Sequence, residues 1–312
     1  MLLSIDLKSQ IVLDAQWAEC PVLGCQTRVQ RQRRQFRCAP EFHCPIHQIY
    51  ISPSTFEYAD WRSNLLSRDP QDISLLASIA AHKRESRMGR ERSEDAISWN
   101  FFRHLEHSDK LLSAINLLAG KPATRCNVIY WSYCQRERDA WSWLKKAREQ
   151  FGEHPKRSTE PDIIMVSDHT LVFVEAKLTA ANRTQPSTPG LKKYVSGADG
   201  LFGKIHRSSY EDVAVVGKLY ELMRLWLMGN WIATQMNLEF RLIALVRDGA
   251  EPQLTERVAR HFVESSTSLF QMITWERLFA ASAPHTVSFT NYFHNKTVGF
   301  DQSGRLGKAF KM

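Results

Sequence analysis

The sequence predicts an α/β protein in which a mixed β-sheet is flanked by α-helices and preceded by a small metal-binding module. Three observations carry this prediction: a β-hairpin pattern at residues 160–177, the alternation of helical and strand patterns around it, and a group of cysteines near the amino terminus. Hydrophobic residues make up 43% of the 312-residue chain, which allows a substantial core. An order of helix, strands, helix, strand, helix, strand fits a mixed sheet with helices on its faces.

The hairpin pattern consists of two short apolar runs and a polar turn. The runs at residues 163–166 and 171–174 are rich in β-branched and aromatic side chains, and a Ser-Asp-His-Thr sequence at 167–170 lies between them. This arrangement is typical of two antiparallel strands joined by a tight connection. The second run is apolar on both faces, which indicates a buried strand. The alternative is an ordinary surface hairpin with an ion pair.

The register of this hairpin brings two acidic residues together. A turn centred between Asp168 and His169 places Asp162 directly opposite Glu175, and side chains of such partners share one face. Two facing carboxylates repel unless a proton or a cation lies between them. Magnesium suits one or two carboxylates together with phosphate oxygens and water. Lys177 adds a positive charge beside this position, and the combination is suited to hydrolysis of a phosphodiester.

These residues resemble a known family. Pro161-Asp162, followed after a gap by Glu175-Ala176-Lys177, is similar to the motif of the PD-(D/E)XK nuclease superfamily. The resemblance implies a restriction-endonuclease-like core and a deoxyribonuclease that depends on Mg2+ or Mn2+, with Asp162 and Glu175 as metal ligands and Lys177 acting on the attacking water. It also implies a bacterial restriction, repair or phage-defence setting. RNA as the substrate, a homodimer and a defence-system partner stay open.

A further acid opens the first helix of this predicted domain. Ser93 is a good N-cap, and Glu94 follows it in the first turn. Helical spacing places Ile97, Phe101 and Leu105 on the side of the helix that carries Glu94. A glutamate on the first core helix often joins the metal site in the family that the hairpin resembles, so Glu94 resembles that ligand. The alternative is capping and helix-dipole chemistry alone.

The amino-terminal cysteines predict a structural zinc site. Cys20 and Cys25 form one close pair, and Cys38 and Cys44 form a second after a short loop. Two such pairs resemble a closed tetrahedral site, and a metal would stabilise a segment too small to bury much apolar surface. His47 is an alternative to Cys44 as the fourth ligand. Four unrelated reduced thiols are the competing interpretation.

The charge of the chain favours a polyanionic partner. The net charge is +8 and the isoelectric point is about 9.2, which favours a polyanion such as nucleic acid as the partner; the choice of DNA comes from the family resemblance. Candidate nucleic-acid contacts lie in the loop between the cysteine pairs and in the loop after the hairpin: Arg31, Arg33, Arg34, Arg183 and Lys192. Lys193 and Tyr194 are further candidates. The alternative for all of them is a solvated surface.

The predicted organisation is a zinc-binding module at residues 1–60, a helical basic linker at 61–92 and a nuclease-like domain at 93–312. The first residues contain no signal-peptide core, and no apolar run is long enough to span a bilayer. We therefore expect a soluble cytoplasmic protein with no membrane partner. The alternative function is a catalytically inactive, zinc-containing subunit that binds nucleic acid or another protein on a nuclease scaffold.

Overall fold

The computed structural model describes residues 7–82, 87–154, 158–187 and 193–311. The chain divides into two compact units. The first unit comprises Met1–Ile73, Ser86–His104 and Ala283–Met312, and the second comprises Ser74–Glu85 and Leu105–Ser282. The predicted boundaries at residues 60 and 92 differ from these limits. The first unit continues to Ile73, includes Ser86–His104 and also takes in the carboxyl-terminal segment from Ala283. No helix in the described ranges is both long and apolar enough to cross a bilayer.

The described strands are short in the first unit and longer in the second: β1 (Trp17–Glu19), β2 (Arg28–Gln30), β3 (His43–Cys44), β4 (Ile49–Ile51), β5 (Phe56–Tyr58), β6 (Cys126–Tyr130), β7 (Tyr133–Cys134), β8 (Asp139–Ala140), β9 (Ile163–Ser167), β10 (Thr170–Ala176), β11 (Glu239–Val246), β12 (Ser268–Thr274), β13 (Thr297–Phe300) and β14 (Leu306–Lys308). The described α-helices are α1 (Pro70–His82), α2 (Glu94–His107), α3 (Leu111–Ala119), α4 (Ser142–Gln150), α5 (Lys193–Ile205), α6 (Tyr220–Met236), α7 (Leu254–Ala259), α8 (Trp275–Ala281) and α9 (Val287–Asn295).

The second unit is built on a seven-stranded mixed sheet. Its strand order is β12-β11-β10-β9-β6-β7-β8. Strands β10, β11 and β12 are parallel to one another, whereas the remaining neighbours are antiparallel. Helix α3 packs against β6, β10 and β11, and helix α6 packs against β10 and β11. The prediction of an α/β fold with a mixed sheet flanked by helices is therefore confirmed.

The central hairpin has the predicted register. Leu171 pairs with Val166, and Val174 pairs with Ile163, so one further step along the strands places Asp162 opposite Glu175. The Ser167 hydroxyl accepts a hydrogen bond from the amide of Thr170 at 2.9 Å, which closes the turn. All residues of β10 are buried. The hairpin is therefore a core element and not a surface ribbon.

Local backbone features limit the length of two helices. The apolar pattern at 213–233 breaks into a π-helical turn, Asp212–Val216, and α6. Gly217 lies at the break, where an added Cβ would come within 2.9 Å of the Asp212 carbonyl oxygen, and Lys218 has a positive φ of 54°. The helical pattern at 60–85 becomes a 3-10 turn, Trp61–Asn64, followed by α1, because Pro70 starts the helix at a position where its missing N–H costs nothing.

The first unit owes its discontinuous composition to contacts made by the carboxyl-terminal segment. The amide of Ile11 donates to the Gly304 carbonyl at 2.9 Å. Lys296 is buried, and its Nζ donates to Asn64 Oδ1 at 2.8 Å and to Glu91 Oε2 at 3.2 Å. Burial disfavours the charge on Lys296, but Glu91 outweighs it and raises the lysine pKa. These contacts tie the chain end to the amino-terminal part of the unit.

Helix α6 approaches the sheet so closely that one of its residues has to be glycine. A Cβ built on Gly229 would lie 1.9 Å from Cζ of Phe240 in β11. We expect Gly229→Ala to destabilise the protein by about 1–3 kcal/mol, because the helix or the ring must shift. Gly203→Ala is the matched control, since a Cβ there meets nothing within 4 Å. Urea unfolding of both variants measures the effect, and equal stabilities would contradict this account of the helix position.

Candidate active site and metal cluster

The predicted catalytic residues of the second unit lie at the end of the central hairpin. Asp162 immediately precedes β9, Glu175 lies one residue before the end of β10, and Lys177 directly follows that strand. The amide of Ala176 donates to Asp162 Oδ2 at 2.8 Å, which fixes the aspartate against β10. The amide of Lys177 donates to the Leu245 carbonyl at 2.8 Å, so β11 fixes the lysine backbone. The hairpin and its parallel neighbour therefore position all three side chains.

A third carboxylate from α6 completes this cluster. The Lys177 ammonium contacts Glu175 Oε1 and lies 3.2 Å from Glu221 Oε2. Glu221 sits in the first turn of α6, where its amide donates to the hydroxyl of Thr184 at 2.8 Å. Glu221 and Arg224 are spaced i, i+3 on α6, but each pairs with a residue elsewhere: Glu221 with Lys177 and Arg224 with Glu153.

The cluster contains more negative than positive charge. Lys177 is the cation that Glu175 and Glu221 share, and Asp162 adds a further carboxylate close by. Burial raises the pKa of Glu175 well above its usual value, and the negative charges of Glu221 and Asp162 act in the same direction. Burial disfavours the charge on Lys177, but the three carboxylates outweigh it and raise the lysine pKa. Glu175 is 3% exposed, and its Oε2 has no hydrogen-bond partner among the described residues.

The predicted third metal ligand belongs to the other unit. Glu94 is the first residue of α2 and part of the first unit, whereas Asp162, Glu175 and Lys177 belong to the second. Its role in a metal site stays a prediction. Within the described ranges, no set of three carboxylates has its oxygen atoms within 4.8 Å of one another. A magnesium site would therefore need the side chains of the hairpin cluster to draw together around the ion.

A cavity of about 570 Å³ adjoins the acidic cluster through Glu221. Its wall includes Arg224, which pairs with the buried Glu153 at 2.8 Å. Arg148 also lines the cavity, and its Nη2 donates to the Ser132 hydroxyl at 2.9 Å. The cavity therefore combines guanidinium and carboxylate groups next to the cluster, and its volume lies within the range of small-molecule pockets, about 300–1,000 Å³.

The residues after the hairpin that are predicted to contact nucleic acid differ in their exposure to solvent. Arg183 is exposed in the second unit, and its role stays a prediction. Lys192 lies outside the described residues. Tyr194 is only 1% exposed, and its hydroxyl donates to Glu153 Oε1 at 2.7 Å. The expectation of a surface contact at Tyr194 is therefore wrong, because this side chain anchors the buried Glu153. Lys193 lies over the Tyr194 ring, with its Nζ 5.1 Å from the ring centre.

The first unit contains a compact cluster of metal-ligating side chains. Cys20, Cys25, Cys44 and His47 offer ligand atoms that all lie within 4.8 Å of one another. The sulfur atoms of Cys25 and Cys44 are 3.9 Å apart, and His47 Nδ1 lies 3.5 Å from Cys20 Sγ and 3.7 Å from Cys44 Sγ. A tetrahedron with arms of about 2.3 Å, the zinc–sulfur distance, has edges of about 3.8 Å. The cluster can therefore hold a tetrahedral metal ion.

One predicted ligand is replaced. Cys38 is exposed and takes no part in the cluster, so its assignment as a ligand is corrected. His47 is the fourth residue of the cluster. It was predicted as an alternative to Cys44, but Cys44 and His47 both belong to the cluster. The reason is local: Gln48 N donates to the Cys44 carbonyl at 2.9 Å, and this turn carries His47 back to the cysteines. Cys38 instead ends the exposed arginine-rich loop.

The three arginines of the first unit that are predicted to contact nucleic acid lie between Cys25 and Cys44 in the sequence. Arg33 and Arg34 are exposed, and Arg31 is half-buried. Arg31 Nη1 donates to the Asp14 carbonyl at 2.7 Å, and Arg33 Nη2 donates to the Ala15 carbonyl at 2.5 Å. Their contact with nucleic acid stays a prediction, and the structure adds that two of the three guanidinium groups are held in place.

Comparison of this chain with protein-family models, curated proteins and solved structures finds no match. The arguments about function below use the geometry of the two sites and the chemistry of their residues.

Proposed function

We propose that this protein is a nuclease that hydrolyses phosphodiester bonds, preferably in DNA, with Mg2+ or Mn2+ as its cofactor. The observation that carries the proposal is the buried carboxylate of Glu175. One of its oxygen atoms has no partner among the described residues, although two further carboxylates and one lysine lie beside it. A buried polar atom without a partner costs free energy unless a ligand satisfies it, and a divalent cation satisfies several carboxylates at once.

The donor set fits a hard cation. Asp162, Glu175 and Glu221 offer only oxygen atoms, which magnesium and manganese prefer. A bound metal ion would polarise the phosphate and lower the pKa of a water molecule. Lys177 would hold that water by hydrogen bonding or stabilise the negative charge that develops on the phosphate. The Ala176 amide would keep one oxygen of Asp162 oriented, because it already donates to Oδ2.

The decisive experiment compares metal-dependent cleavage by the wild type and by Glu175→Gln. We expect the wild type to cut plasmid or single-stranded DNA with Mg2+ or Mn2+. We expect Glu175→Gln to lose about 100-fold or more in rate, because the substitution removes a negative charge at the proposed metal position. Glu256→Gln is the control, since Glu256 is exposed and pairs with its helical neighbour Arg260. A wild type that cleaves neither DNA nor RNA would leave a nucleic-acid-binding scaffold as the function.

The third acidic residue of the site is a separate question. The family resemblance points to Glu94, and the geometry of the second unit points to Glu221. Glu221→Gln and Glu94→Gln distinguish the two. Loss of a ligand should weaken the affinity for Mg2+. The residue whose variant needs a higher Mg2+ concentration for half-maximal cleavage is therefore the ligand.

We propose that zinc occupies the cluster of the first unit. Three thiolates and one imidazole form a common structural zinc site, in which all four positions are filled by protein. Burial raises the pKa of the Cys20 thiol, and the neighbouring Cys44 acts in the same direction. A bound zinc ion would favour the thiolate form of Cys20, which burial disfavours without the metal.

A further inference from the structure

The outer face of the ribbon formed by β1 and β2 presents an exposed aromatic side chain. Trp17 is 42% exposed and lies directly opposite Gln30. Ala18 and Val29, the next pair, are buried beneath the ribbon. Arg28 is exposed and lies on the same face as Trp17, two residues from Gln30. An indole contributes most when its large apolar area is buried, and much of the Trp17 ring remains available for contact with a partner.

The arginines next to this tryptophan have no acidic partners. Five arginines lie within ten residues, and among the residues that the structure describes none of them has a carboxylate within 4.0 Å: Arg28, Arg31, Arg33, Arg34 and Arg37. Other arginines of the same unit are paired, as Arg62 is with Asp60 and Arg103 with Asp72. Glu19 lies directly opposite Arg28 across the ribbon and pairs with Lys8 at 2.8 Å, and Asp14 accepts hydrogen bonds from the amides of Gln16 and Trp17. Residues 14–37 contain two acids, Asp14 and Glu19, and five arginines, so this segment keeps a net positive charge that a partner outside the chain can neutralise.

Two of these guanidinium groups are held by the backbone of the segment that leads into β1. Arg31 and Arg33 donate to the carbonyl groups of Asp14 and Ala15, which precede Trp17 by three and two residues. Each guanidinium carries five donors, and these bonds engage only one of them. A side chain that is ordered in advance loses less entropy on binding. The ribbon is thus prepared to receive an anion next to an aromatic surface.

The metal cluster fixes the base of the ribbon. Strand β1 ends at Glu19, directly before Cys20, and the amide of Cys20 donates to the Thr27 carbonyl at 2.9 Å, just before β2. Cys25 lies in the connection between the two strands. The connection therefore carries two members of the cluster, Cys20 and Cys25, and a metal ion bound there would hold it in place.

We propose that this ribbon binds single-stranded nucleic acid, with an unpaired base stacked on Trp17 and flanking phosphates bound by Arg31 and Arg33. Stacking needs an open base face, which a strand offers and a duplex hides. Phosphates recur along a strand, so two arginines held on the segment just before Trp17 can contact neighbouring phosphates of the same strand. The inference depends on the proposed function only for the choice of nucleic acid as the partner, and it adds that the partner is single-stranded.

The first test measures binding without Mg2+, so that the result does not depend on cleavage. Fluorescein-labelled oligo(dT) and oligo(U) of about a dozen nucleotides serve as probes, because the binding sites of such proteins span about 4–16 nucleotides. We expect Trp17→Ala to weaken binding by about tenfold and Trp17→Phe to weaken it less, since phenylalanine still stacks. Trp61→Ala is the matched control, because Trp61 is 39% exposed in the same unit. Zinc content and circular dichroism show whether each variant is folded.

A second set of variants tests the phosphate contacts. Replacing Arg31 and Arg33 by alanine should lower the slope of log affinity against log salt by about 1.4, or about 0.7 for each lost contact with a single strand. Arg62→Ala should leave the slope unchanged, since Arg62 pairs with Asp60. Wild-type affinity in Trp17→Ala would overturn the proposal. Equal loss in Trp61→Ala, or duplex DNA bound as tightly as single strands, would overturn it as well. If the protein cleaves nucleic acid but does not bind single strands more tightly than duplex DNA, the proposed active site still stands and only the proposed role of the ribbon fails.

Discussion

Lys177→Ala is expected to slow phosphodiester cleavage by about 100- to 1000-fold, the usual cost of removing a donor that stabilises the transition state. The lysine follows the last residue of β10 and contacts Glu175 and Glu221. In the proposed mechanism its charge lies beside two of the metal ligands, where it would act on the attacking water or on the phosphate. Affinity for nucleic acid should change little, because the 41 lysines and arginines of the chain can spread the phosphate contacts over many side chains. Single-turnover cleavage and fluorescence anisotropy separate the two effects.

The variant needs a control for stability, because Lys177 is also the cation of a buried cluster. Removing it leaves Glu175 and Glu221 to repel each other, and breaking a buried pair costs about 3–5 kcal/mol. The double variant Lys177→Ala, Glu221→Gln removes one of these charges and should recover part of the stability without recovering the rate. Lys204→Ala, at an exposed lysine of the same unit, should match the wild type. Cleavage at the wild-type rate by Lys177→Ala would refute the catalytic assignment.

The sequence predicted the hairpin well because its determinants are local. A polar tetrapeptide between two apolar runs sets the turn, and strand alternation then sets the register. Asp162 and Glu175 could be assigned as opposite residues from these rules alone. Glu221 could not be found in this way, because it reaches the site from a helix more than forty residues further along the chain. Spacing along α6 favours a pair between Glu221 and Arg224, but Arg224 pairs with the buried Glu153.

The metal cluster shows the same limit on a smaller scale. Cysteine spacing predicted Cys20, Cys25, Cys38 and Cys44 as ligands, with His47 as an alternative to Cys44, and the cluster contains three of these cysteines together with His47. The spacing could not show that His47 takes the place of Cys38, because this depends on the backbone turn after Cys44 and on the exposed path of the arginine-rich loop. The discontinuous first unit was also missed, since the contacts of Lys296 with Asn64 and Glu91 connect residues more than 200 positions apart.

The two cysteines of the second predicted pair provide a direct test of the zinc proposal. Cys44→Ser should abolish zinc binding, because Cys44 is buried and its sulfur lies 3.9 Å from Cys25 Sγ and 3.7 Å from His47 Nδ1. Cys38→Ser should keep the metal, since Cys38 is exposed and outside the cluster. Elemental analysis of protein purified without chelators measures the zinc content of both variants and of the wild type.

The loss of zinc should also destabilise the first unit. Cys20, Cys25 and Cys44 belong to its apolar core together with Ile49 and Phe56, so an empty cluster would leave buried thiols without their common partner. Structural zinc contributes about 10–16 kcal/mol of apparent binding free energy in small zinc-dependent domains. We therefore expect the first unit of Cys44→Ser to unfold at a much lower temperature than that of Cys38→Ser, while the sheet of the second unit keeps its circular dichroism. Equal zinc content and equal melting of the two variants, or a wild type that carries no zinc, would refute the assignment of this cluster as a structural zinc site.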